Sequence, residues 1–174
     1  MGQAVILGQV VGCSEPLMLR LLAGFDDESA CRQLPGLPNH PIWILGHCGF
    51  TMSRVATIFD EVEVPATDFS EGLPSEGPRT SFEIPTICRG SVPTSQGMTY
   101  PNLQRSQEIY AAACQRFAQA VSQIKDHELH VDLQWHDGPI SKINLIARVC
   151  FHNGAHNGQI LDMRRALKMP RVIG

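Results

Sequence analysis

No stretch of this sequence holds the ~20 consecutive apolar residues that a bilayer span needs. The most apolar run near the start, Ala4 to Val11, is far shorter. No basic segment precedes it and no small-residue cleavage site follows, so neither a membrane helix nor a secretory signal is expected. Excess positive charge is also missing. Fourteen Lys and Arg stand against seventeen Asp and Glu, a net charge of −3. That excludes non-specific nucleic-acid binding as the main activity, because attraction to phosphate needs a basic face. Cysteine pairs of the Cys-x-x-Cys type are absent, although six cysteines are present: Cys13, Cys31, Cys48, Cys88, Cys114 and Cys150. A zinc ribbon and a thioredoxin-type redox pair are thereby excluded. The wide spacing among apolar residues reads instead as buried free thiols in a reducing cytoplasm. Internal repeats and low-complexity tracts are lacking too. What is present is 43% apolar and 18% charged residues over 174 positions, with seven histidines. That composition suits one soluble domain, 1–174, with a core of its own.

Helical spacing dominates the chain. From about Gln3 to Phe25 the residues are apolar at helical intervals. Two courses fit: Ser14 caps a helix with Pro16 in its first turn, or a longer helix kinks at Pro16. Asn39-His40-Pro41 opens a second long helix, which runs to about Phe59 and carries Trp43, His47, Phe50 and Ile58 on related faces. Val64 to Thr99 is rich in Pro, Gly, Ser and Thr and reads as an ordered functional loop. A third helix starts near Pro101. Its stripe of Leu103, Tyr110, Cys114, Phe117, Val121 and Ile124 has gaps of seven, four, three, four and three. Leu129 to Trp135 alternates like a short strand, with a turn at Asp137-Gly138-Pro139. Ser141 then caps a last helix reaching about Leu167, with Arg164, Arg165 and Lys168 at its negative end. The expected fold is all-α: an up-and-down-type four-helix bundle, or a variant with one long crossover, carrying a long irregular loop after the second helix and a strand-like segment before the fourth.

The histidines are where the chemistry concentrates. His152 and His156 are four apart, so their rings diverge by only about 40° on one helix face. Leu145, Val149, Gln159 and Met163 share that face, which should turn inward. Two imidazoles buried side by side need partners for their nitrogens. A divalent metal supplies one, since neutral imidazole binds zinc, nickel, iron and copper alike. His47 is the best candidate for a third ligand, with a hydrogen-bonded core histidine as the competing reading. Three histidines would leave positions open for water or substrate, as in a catalytic site. A zincin is excluded, because Asn153, not a glutamate, follows His152. A second set, His130, Asp132 and His136, would share one face of the strand, although an exposed polar face explains it as well.

Asn39-His-Pro-Ile-Trp-Ile-Leu-Gly-His47 and Phe151-His-Asn-Gly-Ala-His-Asn-Gly-Gln-Ile-Leu-Asp-Met-Arg-Arg165 resemble the second and last helices of the DinB-like (DinB/YfiT) superfamily. The resemblance implies a four-helix bundle holding a divalent transition metal on His47, His152 and His156. The pair Gly158-Gln159 matches as well, and Gln159 either orients a ligand or water or packs at the edge of the core. Gly154 and Gly158 are expected to admit a close neighbour, because glycine inside a helix is otherwise unfavourable. Trp43 reads as a core anchor. Members of the superfamily include thiol-dependent S-transferases and isomerases that use bacillithiol or mycothiol. By resemblance this chain would be a metal-dependent thiol S-transferase or related detoxifying enzyme, acting on a small molecule with a low-molecular-weight thiol. No catalytic base is evident; Asp60 and Glu61 are the nearest acidic candidates. The alternatives are a stress-related dimer that binds a metal or small ligand without catalysis, and a metal-dependent hydrolase. Apolar faces on the first and third helices are the expected surface of a homodimer.

Overall fold

Capping chemistry decides where the long helices begin in the computed structural model, which describes residues 1–72, 79–95 and 99–173. The first helical segment is two helices, α1 (Gln3–Gly12) and α2 (Ser14–Leu21), broken at Cys13. Pro16 lies in the first turn of α2 as expected, but Ser14 is a helical residue and not the cap. Pro16 has no N–H to offer the Gly12 carbonyl, so the hydrogen-bonded ladder ends there. Helix α3 (Asp27–Ala30) is a single turn closed by a reciprocal Asp26–Ser29 capping box. Helix α4 (Pro41–Asp60) starts with proline at its first position. The side chain of His40 accepts a hydrogen bond from the Trp43 backbone N–H at 3.2 Å. Asn102 caps α6 (Leu103–Ser122) by the same logic, and Ser141 caps α7 (Lys142–Ala166).

The expected stripe on α6 is the floor of the core: Tyr110, Cys114, Phe117 and Val121 are fully buried. Helix α4 packs along α6, and it also meets α7; α1 lies on α6, and α2 bridges α6 and α7. Gly8 allows the α1–α6 contact, since a Cβ there would sit 2.7 Å from the Ala118 carbonyl. Buried Arg164 does more than offset the charge at the end of α7. It donates to the Leu21, Ala23 and Pro170 carbonyls and so ties that end to the end of α2.

Two stretches, Gln3–Leu21 and Pro41–Asp60, are apolar and long enough to cross a membrane; for the second, 72% of the apolar window is buried inside the protein, which makes it a core helix. For the first, only 28% is buried. Val5, Ile6, Val10 and Leu17 remain exposed there. The face of α6 away from the core is polar, so the expectation of a spare apolar surface on the third helix does not hold.

The described part of the segment after α4 includes β1 (Phe69–Ser70) and β2 (Phe82–Glu83), which pair in parallel with Phe69 beside Phe82. Helix α5 (Ile84–Ile87) follows. The parts of this loop at 73–78 and 96–98 lie outside the described residues. A 3₁₀ turn (Asp126–Glu128) leads into the antiparallel hairpin of β3 (Asp132–Trp135) and β4 (Gly138–Ser141). The expected turn moves back by one residue or more: His136 and Asp137 make it, while Gly138 and Pro139 belong to β4. The strand also starts later than its alternation suggested, leaving Val131 exposed and Leu129 fully buried before it. Not all the cysteines are buried. Cys31, Cys48 and Cys114 are, Cys88 and Cys150 are partly covered, and Cys13 is exposed.

Candidate metal centre

His47 projects from the middle of α4, and His152 and His156 from successive turns of α7. Ring centroids are 4.9 Å apart for His47–His152, 5.1 Å for His47–His156 and 4.6 Å for His152–His156. One ring nitrogen from each lies within 4.8 Å of the others, a spacing that could hold a metal ion. The hydrogen bonds say which nitrogens are free. His47 Nδ1 is 2.7 Å from the Ile87 carbonyl, an acceptor, so Nδ1–H donates and Nε2 keeps its lone pair. His156 Nδ1 donates to Gln159 Oε1 at 2.9 Å, which likewise frees Nε2. The Nε2 atoms of His47 and His152 face one another at 3.0 Å. His152 Nδ1 looks toward Asn153 Oδ1 at 3.4 Å, and buried Asn153 is held by its amide against the Met52 sulfur. Burial lowers all three pKa values, that of His156 to about 4, with the neighbouring imidazoles adding to the effect on His152 and His156. The rings are therefore neutral at pH 7, the form in which imidazole ligates. This donor set fits a divalent transition ion.

Support for the cluster comes from distant parts of the chain. The indole of Trp43 stacks on His47 with centroids 4.5 Å apart and planes 12° from parallel. Its Nε1–H donates to the Thr86 carbonyl at 3.0 Å. Gly46 lets the loop reach this side of α4. A Cβ at that position would lie 2.7 Å from the Phe82 ring and 2.9 Å from Ile87 Cγ2. Close docking of Phe82 and Ile87 puts the Ile87 carbonyl on His47. On the other flank, Asn39 Nδ2 donates at 2.9 Å to the same Gln159 oxygen that receives His156.

A family model described as the DinB superfamily matches residues 14–160. The chain belongs to the DinB superfamily. A solved crystal structure of a conserved protein from Enterococcus faecalis shares the fold of this DinB-superfamily chain, with a TM-score of 0.73 and 15% identity over 95% of this chain and 96% of that one. No curated protein matches it.

Other site expectations for this DinB chain fare differently. Gln159, expected beside a ligand or water, accepts a hydrogen bond from His156 instead. Trp43 is nearly buried, as a core anchor should be, and also stacks on a candidate ligand. Gly154 and Gly158 admit no close neighbour: a Cβ on either would meet nothing within 4 Å. Asp60 and Glu61 are not at the centre. Thirteen residues of helix place Asp60 roughly 20 Å from His47, where it pairs with Arg116 at 3.1 Å, and Glu61 ends the helix in a left-handed conformation. His130, Asp132 and His136 are all exposed and do not form a cluster among the described residues. His136 alone reaches the cavity beside the centre. Asn39 was expected at a helix entry, not in a relay to a histidine. No local pattern announces a bond that spans 120 positions.

That cavity has a volume of about 400 Å³, and the three histidines line it together with Trp135, Leu145 and Val149. Cys88 and Arg89, which follow α5, form part of its wall, so the long loop covers the histidines from one side.

Proposed function

We propose that His47, His152 and His156 hold a divalent transition metal, zinc, nickel or iron, and that the chain is a metal-dependent thiol S-transferase or related detoxifying enzyme. In this reading the long helices form a four-helix bundle as one unit over 1–174, with α1 and α2 together making one column. The observation that carries it is the position of the three imidazoles, lining a cavity large enough for a small molecule and walled on one side by the loop. A pocket that brings a small molecule against the imidazoles supports this reading. When bound, the ion would lower the pKa of a thiol or water ligand and supply a nucleophile at neutral pH.

The residues of the chain do the positioning. Ile87 and Gln159 turn the His47 and His156 lone pairs inward, and the apolar wall limits water at the reacting group. Thiol chemistry is favoured over hydrolysis because no aspartate or glutamate lines the cavity among the described residues, leaving no carboxylate base to activate water. We also place a homodimer contact on the exposed apolar residues of α1 and α2, and the protein in the cytoplasm, where thiol cosubstrates are reduced.

Elemental analysis of reconstituted wild type beside His156→Ala tests the centre. Stoichiometric metal is expected in the first and not in the second; wild type without metal would refute the site. A screen of low-molecular-weight thiols against electrophiles tests the activity. Thiol consumption no faster than that of His47→Ala would refute the transferase reading.

A further inference from the structure

The cavity beside the three histidines has a charge of its own. Three cations line it, Arg54, Arg89 and Arg148, and no carboxylate does among the described residues. This is a local reversal in a chain whose net charge is −3. Arg89 and Arg148 share a single counter-ion at the rim, Asp137, at 3.9 Å and 2.6 Å. Arg54 makes no ion pair among the described residues. Its guanidinium lies over two aromatic faces instead, 5.7 Å from the Phe50 ring centre and 5.9 Å from that of Trp135. Stacking leaves the N–H edge of a guanidinium available, the edge that grips a carboxylate with two parallel hydrogen bonds.

The helix register places these cations at a defined reach from the imidazoles. Arg54 follows His47 by seven residues, two turns along α4, which is about 10 Å along the axis and on nearly the same face. Arg148 precedes His152 by four residues, about 6 Å along α7. Phe50, Trp135, Leu145 and Val149 line the cavity with them. A ligand matched to this surface has an apolar middle, a reacting group at the histidines and an anionic end some 6–10 Å away.

We propose that the cavity selects anions: its ligand is a small molecule bearing a carboxylate, which Arg54 binds directly with Arg148 and Arg89 beside it. The proposal rests on the reading above in taking this cavity as the substrate site, and it adds the class of molecule that enters. Two sources of the carboxylate share this chemistry, the thiol or the electrophile.

Binding to wild type, Arg54→Gln and Arg148→Gln, followed by calorimetry and by tryptophan fluorescence, tests it with matched probes. One arm compares reduced glutathione with its diethyl ester, the other 4-phenylbutyrate with 4-phenylbutyramide. In at least one arm the acid is expected to bind about tenfold more tightly than its neutral partner, the worth of a charge-assisted hydrogen bond. The arm that shows the preference identifies which reactant carries the anion. Arg54→Gln should erase the preference while leaving metal content and the neutral probe unaffected, and Arg148→Gln should reduce it. Equal binding of acid and neutral probes in both arms would overturn the proposal. So would an Arg54→Gln variant that weakens both probes alike. The phenylbutyrate arm is repeated on metal-free protein. There no ion can bind the carboxylate, so the acid–amide comparison decides anion selection by itself, while the elemental analysis above decides the centre.

Discussion

Replacing Gly46 with alanine tests how the loop is fastened to the metal centre. The added methyl would lie 2.7 Å from Cδ1 and Cε1 of Phe82 and 2.9 Å from Ile87 Cγ2. Both neighbours are fully buried, so neither can swing into solvent. Overpacking of this kind destabilises by about 1–3 kcal/mol. If the loop yields, the Ile87 carbonyl leaves His47 Nδ1, which removes a hydrogen bond worth about 1 kcal/mol. Alanine's better helix propensity returns about 1 kcal/mol, so a net loss of about 1–3 kcal/mol remains. Freed from its acceptor, His47 should also cost the site about 10–100-fold in metal affinity. Urea unfolding with and without metal, together with a metal titration against a chelator, measures both effects. Gly154→Ala and Gly158→Ala are the matched controls. Their methyls enter open space, so each should gain about 1 kcal/mol and leave metal affinity alone. A Gly46→Ala protein as stable as Gly154→Ala, with wild-type metal affinity, would refute the close-docking argument.

Asn39→Ala removes the second donor to Gln159 and should weaken metal binding by about tenfold without abolishing it, as read by the same titration. Stability of the metal-free protein should fall as the pH drops from about 6.5 toward 4. His40 and His156 are both held down to about 4 by burial. Between those values the unfolded chain binds protons that the folded chain does not, so acid favours unfolding by about 3 kcal/mol for each fully expressed shift. Equilibrium unfolding at pH 7 and pH 5 would show it, and a flat profile would refute it. Thiol labelling of the native protein should modify Cys13 first and leave Cys48 and Cys114 untouched until unfolding. Burial raises both of these thiols, Cys114 to about 12, whereas Cys13 is exposed.

The long helices were legible because their signals are local. Proline at the first position of α4, the serine cap of α7 and the six-residue stripe from Leu103 to Ile124 each need only a window of sequence. The facing of His152 and His156 was legible for the same reason, since a spacing of four on a helix fixes relative direction. The partners of the imidazoles were not. Ile87 acts through its carbonyl, an atom every residue carries, and Asn39 reaches Gln159 only after α4 and α7 have packed. Glycine was misleading by kind: Gly154 and Gly158 stood out inside a helix yet face open space, while Gly46, beside His47 in the motif, is the one the loop rests against. The break at Cys13 was half legible. Pro16 marked the disruption, but the ladder ends four residues earlier, at the carbonyl proline cannot serve.

The 3.0 Å approach of His47 Nε2 to His152 Nε2 bears on how the proposed centre would take up an ion. His47 Nε2 is bare, because its proton is committed to Ile87, so the shared hydrogen belongs to His152. For His152 to offer Nε2 to an ion, that hydrogen would have to move to the opposite nitrogen, where Asn153 Oδ1 stands as acceptor. Uptake would then require a tautomeric shift within one ring and not an acid dissociation. With no proton released, the double charge of an ion would stand uncompensated in a cavity lined by three arginines, and the loaded centre would draw a counter-anion before any reaction begins.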